Sequence, residues 1–150
     1  MNYFEIFDLP IKFAIDENLL NSVYLKKQKA ALLDSKNSDA SSMLNSAYDT
    51  LSDPIKRAEY FLKLHGHETD ISKSPENALA MFSIREKFDA LQNDAEREKF
   101  FDLLESRIAE FIDELPALEN DLDAFHEKFE FISFMHSFLE KVRSNVYSGD

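Results

Sequence analysis

The chain has no cysteine, no tryptophan, two glycines and four prolines in 150 residues. Without cysteine there are no disulfides, no thiolate nucleophile and no cysteine-held metal. Two glycines, Gly66 and Gly149, are too few for a phosphate-cradling loop. They are also too few for the turns of a sheet-rich fold. No apolar run approaches the roughly 18 residues of a membrane-spanning helix. The opening Met1-Asn2-Tyr3-Phe4-Glu5 shows no basic stretch followed by an apolar one. A cytoplasmic address is therefore expected.

What the chain does hold is phenylalanine and acid. Fourteen Phe side chains have no polar handle, so each needs burial or another surface. Net charge is −12, and it is uneven. Residues 1–70 carry 8 Lys or Arg against 11 Asp or Glu, whereas residues 71–150 carry 9 against 18. So acidic a second half repels a phosphate backbone, which argues against nucleic acid and anionic membranes as partners.

Helical spacing predicts an all-α protein of two units, residues 1–66 and 74–150, joined by a linker over 67–73. Asn2 caps a short helix from Tyr3 to about Asp8, ended by Leu9-Pro10. Asp16 caps a second helix with Leu19, Leu20, Val23 and Tyr24 on one side. Asp34 to Ser42 reads as a polar connection. Met43, Leu44, Ala47, Tyr48 and Leu51 make one face of a third helix. Asp53-Pro54 opens a fourth as cap and first-turn proline, and Gly66 stops it. The second unit reads as an up-down-up bundle of Ser74 to about Leu91, Asn93 or Asp94 to Leu115, and about Ala117 to Val142.

Two helices of that bundle carry more apolar surface than one core needs. At about 100° per residue, Met81, Ile84, Phe88 and Leu91 fall within about 80° and form a core stripe. Leu79 and Phe82 lie on the other side, beside Ser83 and Glu86. The last helix repeats the pattern. Leu118, Leu122, Phe125, Phe129, Ile132 and Leu139 form its core stripe, and Phe131, Phe134 and Phe138 cluster opposite. Such second faces either pack on the first unit or on a second copy, or they bind a partner protein. An apolar patch rimmed by charge suits the last.

The chain resembles the HscB family of iron–sulfur co-chaperones along nearly its whole length. The carriers are Asn2 to Pro10, which is similar to the opening of the family's J-domain, and Leu44 to Leu51. To these are added Pro54 with Arg57 to Tyr60, Leu62 and Leu64-His65-Gly66, and Ile84-Arg85-Glu86. The resemblance implies a J-domain that stimulates a DnaK-type chaperone, HscA, and a three-helix unit that binds the cluster scaffold IscU. The family's scaffold-binding positions fall on Ala78, Leu79, Phe82, Ser83, Glu86 and Phe131, within the second faces above. Phe134 and Phe138 join them by neighbourhood. Lys26, Lys27 and Lys29 match the basic face that meets the chaperone, and they equally fit a solvated helix end.

One departure matters. J-domains carry His-Pro-Asp between their second and third helices. Here no His precedes Lys63 and the only early Pro is Pro10. Ungapped, the signature falls on Leu32, Leu33 and Asp34, yet the stretch to Asn45 is about ten residues short by comparison with the family's loop. Substitution and deletion both remain open. Scaffold binding is expected to survive, with J-type stimulation weak or absent. The alternative is an adaptor that binds scaffold or itself without stimulating a chaperone.

No catalytic constellation is present, so no enzyme and no cofactor are expected. His65, His67, Glu68 and Asp70 lack a second cluster at zinc spacing. Glu96/Glu98 and Asp121/Asp123 are two apart on helices and do not face each other.

Overall fold

The computed structural model describes residues 1–34, 38–67 and 75–147. It divides into two compact units, Met1–Gly66 and His67–Asp150, and the described residues are helical without strands. Most of the linker expected at 67–73, together with Ser74 and residues 35–37, lies outside the described residues.

In the first unit, α1 (Tyr3–Ile6) opens on a capping box. Asn2 accepts the Glu5 N–H at 2.9 Å, and Glu5 accepts the Asn2 N–H at 3.2 Å. The helix stops two residues before the spacing suggests, because Asp8 adopts φ 58. That left-handed turn lets Leu9 N–H reach the Phe4 carbonyl at 2.9 Å and folds Leu9 into the core. Asp tolerates the conformation better than most side chains.

Asp16 caps α2 (Glu17–Leu33) through the Leu19 N–H at 3.1 Å. α2 pairs with α3 (Ser38–Ser52). The polar connection expected from Asp34 to Ser42 is therefore too long, since Ser38 to Ser42 are wound into α3. Their small, mostly polar residue types disguise the first turns, and Asp39 there complements the positive end of the helix dipole. Between the two helices the rings of Tyr24 and Tyr48 stack at 4.2 Å. Tyr48 donates to Asn21 at 2.7 Å, and Tyr24 and Gln28 both donate to Asn45 Oδ1. Phe4, Phe7, Leu20, Leu44, Ala47 and Leu51 fill the space beneath.

Asp53 caps α4 (Pro54–Leu64), accepting from the Ile55 and Lys56 N–H groups, and Gly66 ends the turn that follows at φ 77. Tyr60 stacks on Tyr3 at 4.7 Å, and its hydroxyl accepts the Tyr3 N–H at 3.0 Å. The decisive residue on α4 is Arg57, which is buried. Its Nε donates to the Phe13 carbonyl and its Nη1 to the Leu51 carbonyl, both at 2.8 Å. Its guanidinium carbon lies 4.8 Å from the Phe13 ring centre. Burial lowers the Arg57 pKa, while the charges of Glu17 and Asp53 act in the opposite direction. One side chain thus ties the 7–16 loop to the end of α3.

The second unit consists of α5 (Pro75–Asp89), α6 (Asp94–Glu114), a 3-10 turn over Leu115–Leu118 and α7 (Leu122–Tyr147). The last helix starts about a turn later than its spacing suggests, because Pro116 sits in the 3-10 turn and Asp121 caps the new start at the Ala124 N–H. α7 is the common wall: α5 and α6 pack on it more than on each other. Its Phe125, Phe129, Ile132, Met135 and Leu139 are all buried. Asn77 on α5 is buried too, donating to the Glu127 carbonyl at 3.1 Å. Buried Glu130 lies 3.2 Å from His126 Nε2, and His136, half-exposed, lies 3.1 Å from Glu140.

Replacing Arg57 by Met leaves two buried carbonyls without their donor. The first unit should lose about 2–3 kcal/mol of stability. Urea unfolding followed by tyrosine near-ultraviolet dichroism checks this, since four of the five tyrosines lie in that unit. A change below about 0.5 kcal/mol, the range of an ordinary surface substitution, would contradict the tie.

Candidate protein-binding site

α5 turns its buried side, Asn77 and Met81, toward α7. One third of a turn or more away, Leu79 is 72% exposed and Phe82 60% exposed, with Ala78 and Glu86 also at the surface. Ser83 is half-buried at the border between this outer face and the space between α5 and α6. The outer face of α5 is thus a compact apolar pair beside a carboxylate.

The cluster expected opposite the core stripe of α7 needs correction. Phe131, Phe134 and Phe138 are half-buried, not open. The Phe131 ring centre lies 5.6 Å from that of Phe111 on α6. Phe134 and Phe138 stack at 5.9 Å, Phe138 meets Phe88 edge-on at 5.8 Å, and the Arg85 guanidinium lies 5.8 Å from the Phe134 ring. Because α7 is the wall for two helices, its apolar arc is wider than one stripe. Cations cover other Phe rings of the unit as well, Lys128 over Phe111 and Arg143 over Phe101, as the negative ring face favours.

The second unit holds two cavities, both lined by Ala80 and Phe131. One, of about 460 Å³, runs toward Leu118 and Lys128. The other, of about 250 Å³, is lined by Ser83, Lys87, Leu103, Arg107 and Met135 among others. Ser83 and Phe131 therefore line the same cavity, while Leu79, Phe82 and Glu86 face outward. Leu103 on α6 is exposed and was missed. It lies well off the arc of Phe101, Leu104 and Ile108, so the same second-face test applied to α6 finds it.

On the first unit, Lys26 and Lys29 are exposed. Lys27 does not share their face. It is half-buried and pairs with Asp8 at 3.4 Å, because at helical spacing it turns toward α1. The expected three-lysine face therefore holds two. Leu32 and Leu33 belong to α2, and Asp34 closes it with its N–H on the Ala31 carbonyl at 3.2 Å. His65 Nδ1 lies 2.8 Å from the Phe61 carbonyl, and Glu68 and Asp70 lie outside the described residues. Among the described residues no three His, Asp or Glu side chains come together to hold a metal, and no helix is long and apolar enough to cross a membrane.

Exposure sets the expected cost of truncation. Leu79→Ala and Phe82→Ala should leave thermal stability within about 0.5 kcal/mol. Phe131→Ala should cost roughly 2 kcal/mol, since it empties space between α6 and α7. Melting by far-ultraviolet dichroism measures all three, and equal losses would contradict this division of roles.

No family model matches the chain. The HscB co-chaperone homologue of Vibrio cholerae is 33% identical over 112 residues, covering 65% of this chain and 66% of the relative, about two thirds of each. That of Shewanella baltica is 32% identical over 129 residues, covering 77% of this chain and 74% of the relative. The Aliivibrio salmonicida homologue aligns at 28% identity across 97% of this chain and 99% of its own length. Among solved structures, chaperone HscB from Vibrio cholerae superposes with a TM-score of 0.75 at 26% identity, covering 97% of this chain and 99% of that one. Human HscB superposes at 0.81 with 21% identity over 95% and 81%, a likeness of fold. The chain belongs to the HscB family of co-chaperones.

Proposed function

We propose that this chain is a co-chaperone of iron–sulfur cluster assembly that binds a scaffold of the IscU type and presents it to a DnaK-type chaperone of the HscA type. The observation that carries the reading is the outer face of α5. Leu79 and Phe82 stand exposed on a helix whose opposite side is already buried, and Glu86 rims them. Large apolar side chains held rigidly on a helix lose little entropy on docking, which suits them as binding anchors. Ser83 and Phe131 extend the face toward the space between α5 and α6. Phe134 and Phe138, packed against Arg85 and Phe88, support this region from within.

The chaperone is met through α2. Lys26 and Lys29 offer positive charge, and complementary charge speeds encounter with an acidic surface. Lys27 is engaged with Asp8, and Asp34 serves as the C-cap of α2. The His and Pro of the J-domain signature have no counterpart here. Leu32 and Leu33 stand in helix where an ungapped alignment puts them, and only 35–37 separate Asp34 from α3. This favours delivery of the scaffold with little stimulation of ATP hydrolysis. The adaptor reading, in which the chaperone is not engaged at all, differs in its partners.

Calorimetric titration with the scaffold protein should show Phe82→Ala weakening binding by about 2 kcal/mol, roughly thirtyfold, with Leu79→Ala of similar sign. Undiminished affinity in the double variant would remove α5 from the site. Single-turnover ATPase assays with the chaperone should show little acceleration by this chain. Strong acceleration would refute the weak-stimulation reading.

A further inference from the structure

The surface of α2 that faces away from the core holds more than lysine. Leu20, Val23, Tyr24 and Ala31 pack inward, against α1 and α3. At about 100° per residue, Leu25, Leu32 and Leu33 fall within about 100° of one another on the opposite side, with Lys29 in their midst and Lys26 at the edge. Leu25 is 67% exposed, Leu32 71% and Leu33 79%, and Lys26 and Lys29 are exposed beside them. Neither lysine has an ion-pair partner among the described residues, unlike Lys27. Single exposed leucines are ordinary. Three on one face of a regular helix, placed around two cations, make a continuous amphipathic surface that is exposed among the described residues.

We infer that Leu25, Leu32 and Leu33 are the apolar anchors by which α2 docks on a protein surface whose apolar hollow is rimmed by carboxylates. This rests on the reading of α2 as the chaperone-facing helix and adds to it the source of the affinity. Charge selects the occupant. α2 carries three lysines against the single acid Glu17 in a chain of net charge −12. A basic partner is repelled by this helix, while an acidic one is drawn to it. The leucines then supply what lysines cannot, a contact that salt does not screen. Leu32 and Leu33 occupy the last turn of the helix, so the anchor extends to the place where the signature is missing. Binding and stimulation are thereby separated: the leucines hold the partner, and no His-Pro-Asp acts on it.

The test uses the full chain and a purified DnaK-type chaperone, with binding read by biolayer interferometry at low salt and at roughly 0.5 M salt. Leu25→Gln with Leu32→Gln and Leu33→Gln should bind about tenfold more weakly at both salt levels. Lys26→Glu with Lys29→Glu should weaken binding at low salt and change it little at high salt. Gln is a good helix former, so helicity should be retained. Should the triple variant lose dichroism, Leu25→Gln alone, placed well inside the helix, should still weaken binding about threefold. Triple-variant affinity within about twofold of the unmodified chain at high salt overturns the inference and leaves the chaperone reading intact. No binding by the unmodified chain at either salt level overturns both. Two further results overturn the inference: a leucine-dependent self-association measured by sedimentation, or leucine-dependent binding to phosphatidylglycerol vesicles in place of the chaperone.

Discussion

A helix has one side to give to its own core, and on α5 that side is taken. Asn77 donates across to the Glu127 carbonyl and Met81 is buried next to it, so the rotation of α5 about its axis is set. Turning the helix to hide Phe82 would expose Met81 and strip Asn77 of its partner, leaving a buried polar group unsatisfied. Leu79 and Phe82 remain outside as a consequence of that constraint. Their exposure is therefore fixed by packing rather than by chance, which is what a rigid binding face requires.

The same logic runs through α2, where Leu20 and the stacked Tyr24 and Tyr48 fix the inward side. The chain places apolar groups on the outward sides of both helices but rims them differently. Lysines surround the leucines of α2, and carboxylates dominate the second unit, with Glu86 beside Phe82. Two surfaces of opposite sign suit two different partners, and like-charge contact discourages each from taking the other's. Two-sided helices of this kind bear an aggregation risk that the strong net negative charge offsets.

Much of the architecture was legible because caps and prolines are local signals. Asn2, Asp16, Asp53-Pro54 and Asn93 each start a helix where their side chains accept backbone N–H groups. The run from Ser38 to Ser42 misled, because small polar residues look alike in a loop and in the first turns of a helix. Asp8 ended α1 early through a backbone conformation that composition does not announce. The exposure of Leu79 and Phe82 was readable from angular spacing alone, since α5 packs chiefly on α7. That of Phe131, Phe134 and Phe138 was not, because α7 serves two neighbours and its second arc is half covered by Phe111, Arg85 and Phe88. Periodicity reports how many apolar arcs a helix has, not how many helices surround it. Lys27 shows the same limit, since three nearby lysines on a helix do not share one face.

The central claim is that the outer face of α5 meets a cluster scaffold while the core behind it stays undisturbed. Nuclear magnetic resonance titration of the full chain with unlabelled scaffold, observed at Leu methyl, Met methyl and Phe ring signals, tests it most directly. The account predicts shifts at Leu79 and Phe82, with the buried signals of Phe129 and Met135 unmoved. Binding that perturbs the buried set and leaves Leu79 and Phe82 unchanged would contradict it.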